Sequence, residues 1–217
     1  MGLLILGDVH GCFYTLRAMV REHWKPEEDT LILIGDLINK GPHSARAFKY
    51  WIKLNEAHPS KVILIRGNHE QWFLDNYRHQ SRNKTFLKLC EEFESRALSP
   101  KLVAREISLL PLHFENEEVF VSHAGISDAA LDPFDISDMH GVLKNRKNLK
   151  RLAKIQVIGH NIIDQGKPMF RPSENAWYID TGAWCKEFLS GLHFNFANSS
   201  PRIVQMPRKT KDKPKSV

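Results

Sequence analysis

Five short apolar runs in this 217-residue chain each end in a small group of Asp, Asn or His residues with a glycine beside them. The groups are Asp8-Val9-His10, Asp36, Asn68-His69, His123 and His160. Helical spacing of apolar residues follows the first run, from Phe13 to Trp24, and stops before Pro26. Strand, polar loop and helix in alternation are typical of parallel βαβ units. The pattern therefore predicts an α/β fold.

The position of these polar groups also predicts a metal site. The carboxyl ends of parallel strands meet at one crevice of a sheet, so these loops can bring three His, two Asp and one Asn together. Imidazole and carboxylate without thiolate suit divalent ions such as Mn, Fe, Zn or Ni. Six ligands on one ion leave no open position, whereas two ions that share a carboxylate leave positions for water. Water held by two ions would lose a proton near neutral pH, which makes phosphate-ester hydrolysis the expected reaction.

The same motifs resemble those of the PPP-type metallophosphoesterases, and in particular the bacteriophage lambda-like serine/threonine-protein phosphatases. The matching stretches are Gly7-Asp8-Val9-His10-Gly11, Gly35-Asp36, Gly67-Asn68-His69-Glu70, His123-Ala124-Gly125, Gly159-His160 and Tyr178-Ile179-Asp180-Thr181-Gly182-Ala183. Their number and order make the match specific. The resemblance implies a four-layer sandwich of two mixed β-sheets flanked by helices, with one calcineurin-like domain over residues 1–207.

The resemblance further implies a role for each matching side chain. The implied metal ligands are Asp8 and His10 for the first ion, Asp36 for both, and Asn68, His123 and His160 for the second. His69 would be the general acid that protonates the leaving oxygen. Arg66 would clamp the phosphate through bidentate hydrogen bonds, and Arg146 resembles a further phosphate-binding arginine. The expected cofactors are two divalent ions, with Mn first and Fe, Zn or Ni as alternatives.

The second motif departs from the family pattern Gly-Asp-x-Val-Asp-Arg-Gly. Asn39 replaces the aspartate that pairs with the catalytic histidine, and Lys40 replaces the phosphate-binding arginine. A neutral amide stabilises an imidazolium less than a carboxylate does, so the pKa of His69 should be lower than the family pattern implies. Lysine is a point charge without the planar fork of arginine. We expect activity with weaker transition-state stabilisation or a different substrate.

Three functions compete at this stage. The first is hydrolysis of phosphoserine or phosphothreonine in proteins, with small phosphate esters as further substrates. The second is a diadenosine tetraphosphatase-like nucleotide hydrolase, since those enzymes share the metal motifs. The third, ranked last because the ligand set is complete, is a non-catalytic binder of nucleic acid through the basic chain end. Nucleic acid and membranes are not expected partners.

Charge, cysteines and hydropathy complete the expectations. The last ten residues hold five basic residues and one aspartate, a net of +4 out of +6, so residues 208–217 are predicted to form a disordered basic tail. Three cysteines in no paired spacing, Cys12, Cys90 and Cys185, indicate a reducing, cytoplasmic setting. No apolar run approaches the roughly 20 residues that a membrane span needs.

Later elements are predicted from local patterns. Residues 71–110 should be mostly helical, with breaks near Asn83 and at Ser99-Pro100. Short antiparallel strands should follow His160, with turns at Gly166-Lys167 and at Gly191. Asp180-Thr181-Gly182 is predicted as a turn after a buried strand, with a role in lining the site as the alternative.

Overall fold

Two five-stranded sheets lie at the centre of the computed structural model, which describes residues 2–195 and 200–213. The described strands are β1 (Gly2–Leu6), β2 (Asp29–Leu33), β3 (Val62–Leu64), β4 (His113–Glu115), β5 (Val119–Ser122), β6 (Ile155–Ile158), β7 (Met169–Arg171), β8 (Ala176–Tyr178), β9 (Phe188–Phe194) and β10 (Arg202–Pro207). The described α-helices are α1 (Phe13–His23), α2 (Ser44–Ala57), α3 (Asn68–Arg78), α4 (Lys84–Glu94) and α5 (Pro100–Ser108). This architecture confirms the predicted fold class.

Both sheets have a parallel centre and antiparallel edges. The first has the order β10-β9-β1-β2-β3, with β1, β2 and β3 parallel and β9 and β10 antiparallel to their neighbours. The second has the order β4-β5-β6-β8-β7, with β5, β6 and β8 parallel and both edge strands antiparallel. Each sheet therefore contributes three parallel strands, whose carboxyl ends carry the site.

Alternation along the strands assigns each apolar side chain to one of two cores. In β1, Leu4 and Leu6 pack with the helices, whereas Ile5 packs with Val121 and Val157 of the second sheet. Because neighbouring side chains in a strand point to opposite faces, one apolar run fills both layers. The two sheets thus pack face to face, and the helices cover the outer face of the first.

The predicted helix breaks are confirmed, and their cause is local. Asn83 begins α4, where its side-chain oxygen accepts the backbone N–H groups of Thr85 at 2.9 Å and Phe86 at 3.2 Å. Ser99 caps α5 in the same way, and Pro100 occupies the first helical turn, where its missing N–H costs nothing. None of the described helices combines the length and the apolar composition that crossing a membrane requires.

Two predictions about the later strands are wrong, and one earlier strand was not predicted. Gly191 lies inside β9 rather than in a turn, and a Cβ atom there would lie 2.4 Å from the carbonyl oxygen of Ile5, so glycine is required by close strand packing. Strand β8 pairs parallel with β6, although its other neighbour is antiparallel as predicted. The short edge strand β4 was not predicted, because three residues carry too little pattern.

The prediction of a disordered tail is wrong for residues 208–213, while residues 214–217 lie outside the described residues. Thr210–Asp212 forms a turn of 3₁₀-helix, and the Asp212 side chain is fully buried. Its carboxylate accepts the backbone N–H groups of Tyr14 and Thr15 and the Thr15 hydroxyl, the last two at 2.7 Å. Helix α1 has no capping side chain at Cys12, so this distant aspartate satisfies its first turn.

Candidate metal centre and active site

Six polar residues lie just beyond the carboxyl ends of the six parallel strands. They are Asp8, Asp36 and Asn68 from the first sheet and His123, His160 and Asp180 from the second. Facing sheets bring both sets to one rim, as expected for a crevice at strand ends. A cavity of about 320 Å³ at this rim is lined by Asp36, Asn68, His160 and Asp180, among others.

Two groups of metal-binding side chains meet at one carboxylate. His10, Asp36 and His69 form the first group, and Asp36, His123 and His160 form the second. Within each group, one potential ligand atom per residue lies within 4.8 Å of the others. Asp36 is common to both groups, which is the arrangement expected of a carboxylate that bridges two ions.

Backbone carbonyls fix the orientation of two of these imidazoles. The Nδ1 atoms of His10 and His123 lie 3.2 Å and 3.1 Å from the carbonyl oxygens of Ile38 and Ile34. With Nδ1–H donating there, each Nε2 faces the Oδ2 atom of Asp36, at 3.4 Å and 3.5 Å. A hydrogen bond from the outer ring nitrogen is how proteins hold a histidine ligand in its binding tautomer.

Asn68 and His160 complete the second group. The Oδ1 atom of Asn68 lies 3.0 Å from His123 Nε2 and 2.9 Å from His160 Nδ1. His160 Nε2 is buried and has no hydrogen-bond partner among the described residues. Three donors of nitrogen and oxygen type thus converge without thiolate, and they fit a divalent transition metal ion.

Asp8 lies beside this cluster but belongs to neither group. Its two oxygens accept the backbone N–H of His160 at 3.2 Å. Burial raises the pKa of Asp8 well above its ordinary value, and the neighbouring carboxylate of Asp180 raises it further. Its role as a ligand stays a prediction.

Asp180 lines the metal-side cavity, which supports the alternative prediction that this residue belongs to the site. Its side chain is 3% exposed and lines the cavity together with Asp36 and His160. Burial raises its pKa to about 6, and Asp36 adds to the effect. The sequence signal was present, since Asp180-Thr181-Gly182 repeats the pattern of an apolar run followed by a polar residue and glycine.

The electrostatics of the cluster favour a bound cation. Burial alone would lower the pKa of His123, but Asp36, Asp8 and Glu70 outweigh it and raise the pKa to about 10. Burial lowers the pKa of both His10 and His160 to about 3, so these imidazoles are neutral, as metal binding requires. The high pKa of His123 reflects the negative charge of the buried carboxylates around it, which divalent ions would balance.

The proposed general acid contacts the residue that departs from the family pattern. Asn39 Nδ2 lies 2.9 Å from His69 Nδ1. His69 Nε2 in turn lies 3.9 Å from Asp36 Oδ2. Burial lowers the pKa of His69, and Asp36 opposes this effect. The Lys40 ammonium lies 3.4 Å from His10 Nε2 and 5.1 Å from the centre of the Trp184 ring.

The two arginines assigned to phosphate lie in different places. Arg146 lines the metal-side cavity, and its guanidinium donates to Asn161 Oδ1 at 2.9 Å. Arg66 does not line this cavity; its guanidinium donates to the Gln71 side chain and to the carbonyl oxygens of Ser108 and Leu110. Arg66 therefore joins α3 to the end of α5, and its predicted phosphate contact would require these bonds to break.

The backbone of the site is held in an uncommon conformation. Nine described non-glycine residues have positive φ, and five of them are site residues: His10, Asp36, Asn39, Lys40 and His160. Their φ angles lie between 44° and 70°. Left-handed backbone at such residues costs roughly 1–3 kcal/mol each and collects at functional sites. The surrounding contacts must supply that energy.

Glu70 supplies part of this support, and the sequence analysis gave it no role. Its fully buried carboxylate accepts backbone N–H groups from Asp36 at 2.7 Å, Leu37 at 2.9 Å, Ile38 at 3.2 Å and Gly67 at 3.0 Å. One side chain thus ties the loop after β2 to the loop after β3. The backbone of Asp36 is held at the centre of both metal groups in this way.

Comparison with known proteins agrees with this geometry. The sequence profile of the calcineurin-like phosphoesterases matches residues 1–190. The chain belongs to this family. Its resemblance to the PPP-type metallophosphoesterases is confirmed.

Relatives of this calcineurin-like phosphoesterase fall into two groups. A symmetrical bis(5'-nucleosyl)-tetraphosphatase of Salmonella paratyphi C is 33% identical over 180 residues, 73% of this chain and 62% of the relative. That of Photorhabdus laumondii is 33% identical over 58% of this chain and 45% of the relative. Serine/threonine-protein phosphatase 1 of Salmonella typhimurium is 29% identical over 82% of this chain and 85% of the relative. The chain spans 45% and 62% of the first two relatives.

Solved structures show the same fold at low identity. The crystal structure of an inferred diadenosine tetraphosphatase superposes with a TM-score of 0.73 at 23% identity, covering 96% of this chain and 94% of the other. A serine/threonine phosphatase from Saccharomyces cerevisiae superposes with a TM-score of 0.68 at 18% identity, covering 99% and 82%. This likeness concerns the fold alone.

Proposed function

We propose that this phosphoesterase cleaves dinucleoside polyphosphates such as diadenosine tetraphosphate, with nucleoside diphosphate as the product. Phosphoprotein hydrolysis, ranked first from the sequence, becomes the second candidate. Symmetrical tetraphosphatases from three genera are among the relatives of this chain. These relatives suggest the substrate class, and the residues that line the cleft support it.

The main structural support for this proposal is a second cavity beside the metal groups. It has a volume of about 390 Å³ and shares Asn68, Arg146 and His160 with the metal-side cavity. Trp72 and the 64% exposed Met139 supply flat or polarisable apolar surface there, and Lys144 supplies a cation. A nucleobase would bind to such an apolar surface. The polyphosphate chain between that base and the reacting phosphorus would bind to cations.

The leaving group gives an independent argument for a nucleotide substrate. Asn39 is neutral, so it stabilises a protonated His69 less than an aspartate would. Release of a serine alkoxide depends strongly on a proton from a general acid, whereas a nucleoside diphosphate leaves as a stable anion. The substitution of Asn39 therefore harms a protein phosphatase more than a nucleotide hydrolase.

Each site residue has a role in this proposal. The residues that would hold two divalent ions are Asp8, His10, Asp36, Asn68, His123 and His160, with Asp36 shared. Such ions polarise phosphoryl oxygens and lower the pKa of water, which supplies a nucleophile near neutral pH. Arg146 and Lys40 would balance charge on the substrate phosphates, and His69 would carry the proton to the leaving oxygen. Asp180 would hold the rim of the site through its hydrogen bond from Gly182 N–H at 2.8 Å.

Metal identity and location belong to the same proposal. We take Mn²⁺ as the working ion, because oxygen and nitrogen ligands accept it and other first-row metals alike. The three cysteines of the described chain are unpaired, which fits a reducing cytoplasmic compartment. Elemental analysis of the protein purified from its own host would identify the bound metal. Finding zinc or iron instead of manganese would replace Mn²⁺ as the proposed ion.

The experiment compares two substrates at equal Mn²⁺ concentration. We expect kcat/KM for diadenosine tetraphosphate, followed as release of ADP, to exceed that for a phosphoserine peptide by at least about 100-fold. Asp36→Asn should abolish both activities. Turnover of the peptide without release of ADP would restore the protein phosphatase to first place.

A second comparison tests the cavity itself. Trp72→Ala should raise KM for diadenosine tetraphosphate about tenfold and leave KM for p-nitrophenyl phosphate unchanged, since only the dinucleotide reaches this surface. Phe170→Ala is the control, because Phe170 is an aromatic residue on the surface that lines neither cavity. Equal effects of both variants on KM would show that the second cavity does not bind the nucleoside.

A further inference from the structure

A basic surface is formed by α1, α2, Arg96 after α4 and the chain end, and it shares no lining residue with the two cavities of the cleft. One depression of about 350 Å³ is lined by Arg17, Arg46, Lys49, Lys53 and Arg96. A second, of about 390 Å³, is lined by Arg17, Arg21, Lys209 and Lys211. Arg17 belongs to both, so the depressions adjoin each other. No carboxylate lines either depression among the described residues. We call the two together the basic surface.

The basic surface accounts for the whole positive charge of the protein. The chain has 31 lysines and arginines and 25 aspartates and glutamates. Eight of the 31 line the basic surface, which leaves 23 against the 25 acidic residues. The rest of the molecule is therefore slightly acidic. Such segregation focuses a positive potential on one face, which raises the local concentration of polyanions.

Aromatic rings rather than carboxylates contact three of these cations, Arg17, Arg46 and Lys211. The Arg17 guanidinium lies 5.3 Å from the centre of the Phe13 ring and 5.6 Å from that of Tyr14. Arg46 and Lys211 lie 5.9 Å and 5.2 Å from the Tyr14 ring. None of the eight cations has an ion pair within the described chain, although Lys49 donates to the carbonyl oxygen of Arg96. Cation–π contacts orient the cations and leave their charge available.

Folding of the chain end extends this surface. The carboxylate of Asp212 is buried at the start of α1, and the backbone N–H of Lys209 donates to the Thr15 hydroxyl at 3.0 Å. His43 Nε2 lies 2.8 Å from the carbonyl oxygen of Lys211. The one acidic residue of this segment therefore points inward, whereas Lys209 and Lys211 face solvent beside Arg17 and Arg21.

We propose that the basic surface binds the phosphate backbone of a nucleic-acid strand. Eight unneutralised cations in two adjoining depressions fit a flexible chain of regularly spaced phosphates. A membrane fits this surface less well. None of the large exposed apolar side chains of the described chain lines either depression, so the basic surface offers no such side chain for insertion into a bilayer. The aromatic rings contact cations rather than being free to stack on bases. The basic surface therefore binds phosphates and does not distinguish nucleotide sequences.

Fluorescence anisotropy with a labelled 20-nucleotide single-stranded RNA of mixed sequence tests this proposal. The test variant carries Arg21→Ala, Lys53→Ala, Arg96→Ala and Lys211→Ala. Each lost phosphate contact lowers the salt slope by about 0.7, so the slope of log K against log salt should become shallower by about 3. At 0.1 M salt the affinity should fall by roughly 100-fold or more.

The matched control removes four equally exposed cations elsewhere: Lys101, Arg105, Lys150 and Lys167, each to Ala. It has the same net charge as the test variant, so it separates the basic surface from overall charge. We expect its RNA affinity to change less than threefold. Both variants should hydrolyse p-nitrophenyl phosphate at the native rate, which shows that they fold.

Three results would overturn the proposal. They are equal loss of RNA affinity in the test and control variants, no RNA binding by the native protein below 100 µM at 50 mM salt, and tighter binding to phosphatidylserine vesicles or polyglutamate than to RNA. Single-stranded DNA and duplex RNA of the same length complete the comparison. A preference for single-stranded DNA would identify the kind of strand and support the proposal, whereas a preference for duplex RNA would contradict the fit to a flexible chain.

Discussion

The substitution Glu70→Gln should destabilise the protein by about 2–6 kcal/mol, because it breaks the connection between two site loops. The two carboxylate oxygens of Glu70 accept four backbone N–H groups in a fully buried position. Glutamine keeps one acceptor oxygen and places an amide NH₂ group at the other position. In either orientation, two backbone N–H groups lose their acceptor and face another donor.

The magnitude follows from this count. A buried donor without a partner costs about 1–3 kcal/mol, so two cost about 2–6 kcal/mol. For a chain of 217 residues, each kcal/mol lowers Tm by about 2–4 °C, which gives a decrease of roughly 4–24 °C. Burial, reinforced by Asp36, raises the pKa of Glu70 to about 7. The measurement therefore belongs at pH 8.5, where the native carboxylate is ionised.

Urea denaturation followed by circular dichroism is the assay, and Glu92→Gln is the matched control. The Oε1 atom of Glu92 accepts a single backbone N–H, that of Ala45, at 2.8 Å. The amide oxygen of glutamine can keep that bond, so the control should lose less than about 1 kcal/mol. If Glu70→Gln loses no more than Glu92→Gln, the four bonds do not support the loops and the reasoning fails.

Three further variants test the site and the chain end. Asn39→Asp should raise kcat for a phosphoserine peptide about tenfold, because a carboxylate 2.9 Å from His69 would stabilise the protonated imidazole. The same variant should change the rate of ADP release less than twofold. A larger increase for ADP release than for the peptide in steady-state assays would contradict the leaving-group argument. Lys40→Ala should raise KM for diadenosine tetraphosphate about tenfold through loss of one cation, with Lys40→Arg as the variant that retains affinity; unchanged KM excludes a phosphate contact. Asp212→Asn should cost about 1–3 kcal/mol in thermal unfolding, since Thr15 N–H and its hydroxyl share one carboxylate oxygen, and an unchanged Tm would show that α1 needs no cap from the chain end.

The order of ligands along the chain could be predicted because each depends on local pattern. An apolar run that ends in a polar residue and glycine identifies a strand end wherever it occurs, and five such ends were recognised. The sixth, Asp180, carries the same pattern, but its run is short and only the parallel pairing of β8 with β6 places it at the rim. Its neighbours in sequence suggested a turn in an antiparallel region instead.

Roles that depend on distant partners could not be predicted from residue types. Arg66 was assigned to phosphate, yet the end of α5, over forty residues away in sequence, takes its guanidinium. Glu70 was noted only as part of a motif, because the loop that it supports lies more than thirty residues earlier in the chain. A side chain with several acceptors or donors can serve a ligand or the backbone, and only its surroundings decide which.

The sequence by itself determined five strand ends, the polar side chains that follow them, and the helix breaks at Asn83 and Ser99, because these depend on side chains and backbone groups within a few residues of one another. The tertiary structure alone decided that Glu70 supports the loop of Asp36, that Asp212 caps α1, and that cations distant in sequence form one basic surface. These features join residues up to 198 positions apart, and only the packing of the folded chain brings such residues within hydrogen-bonding or electrostatic range.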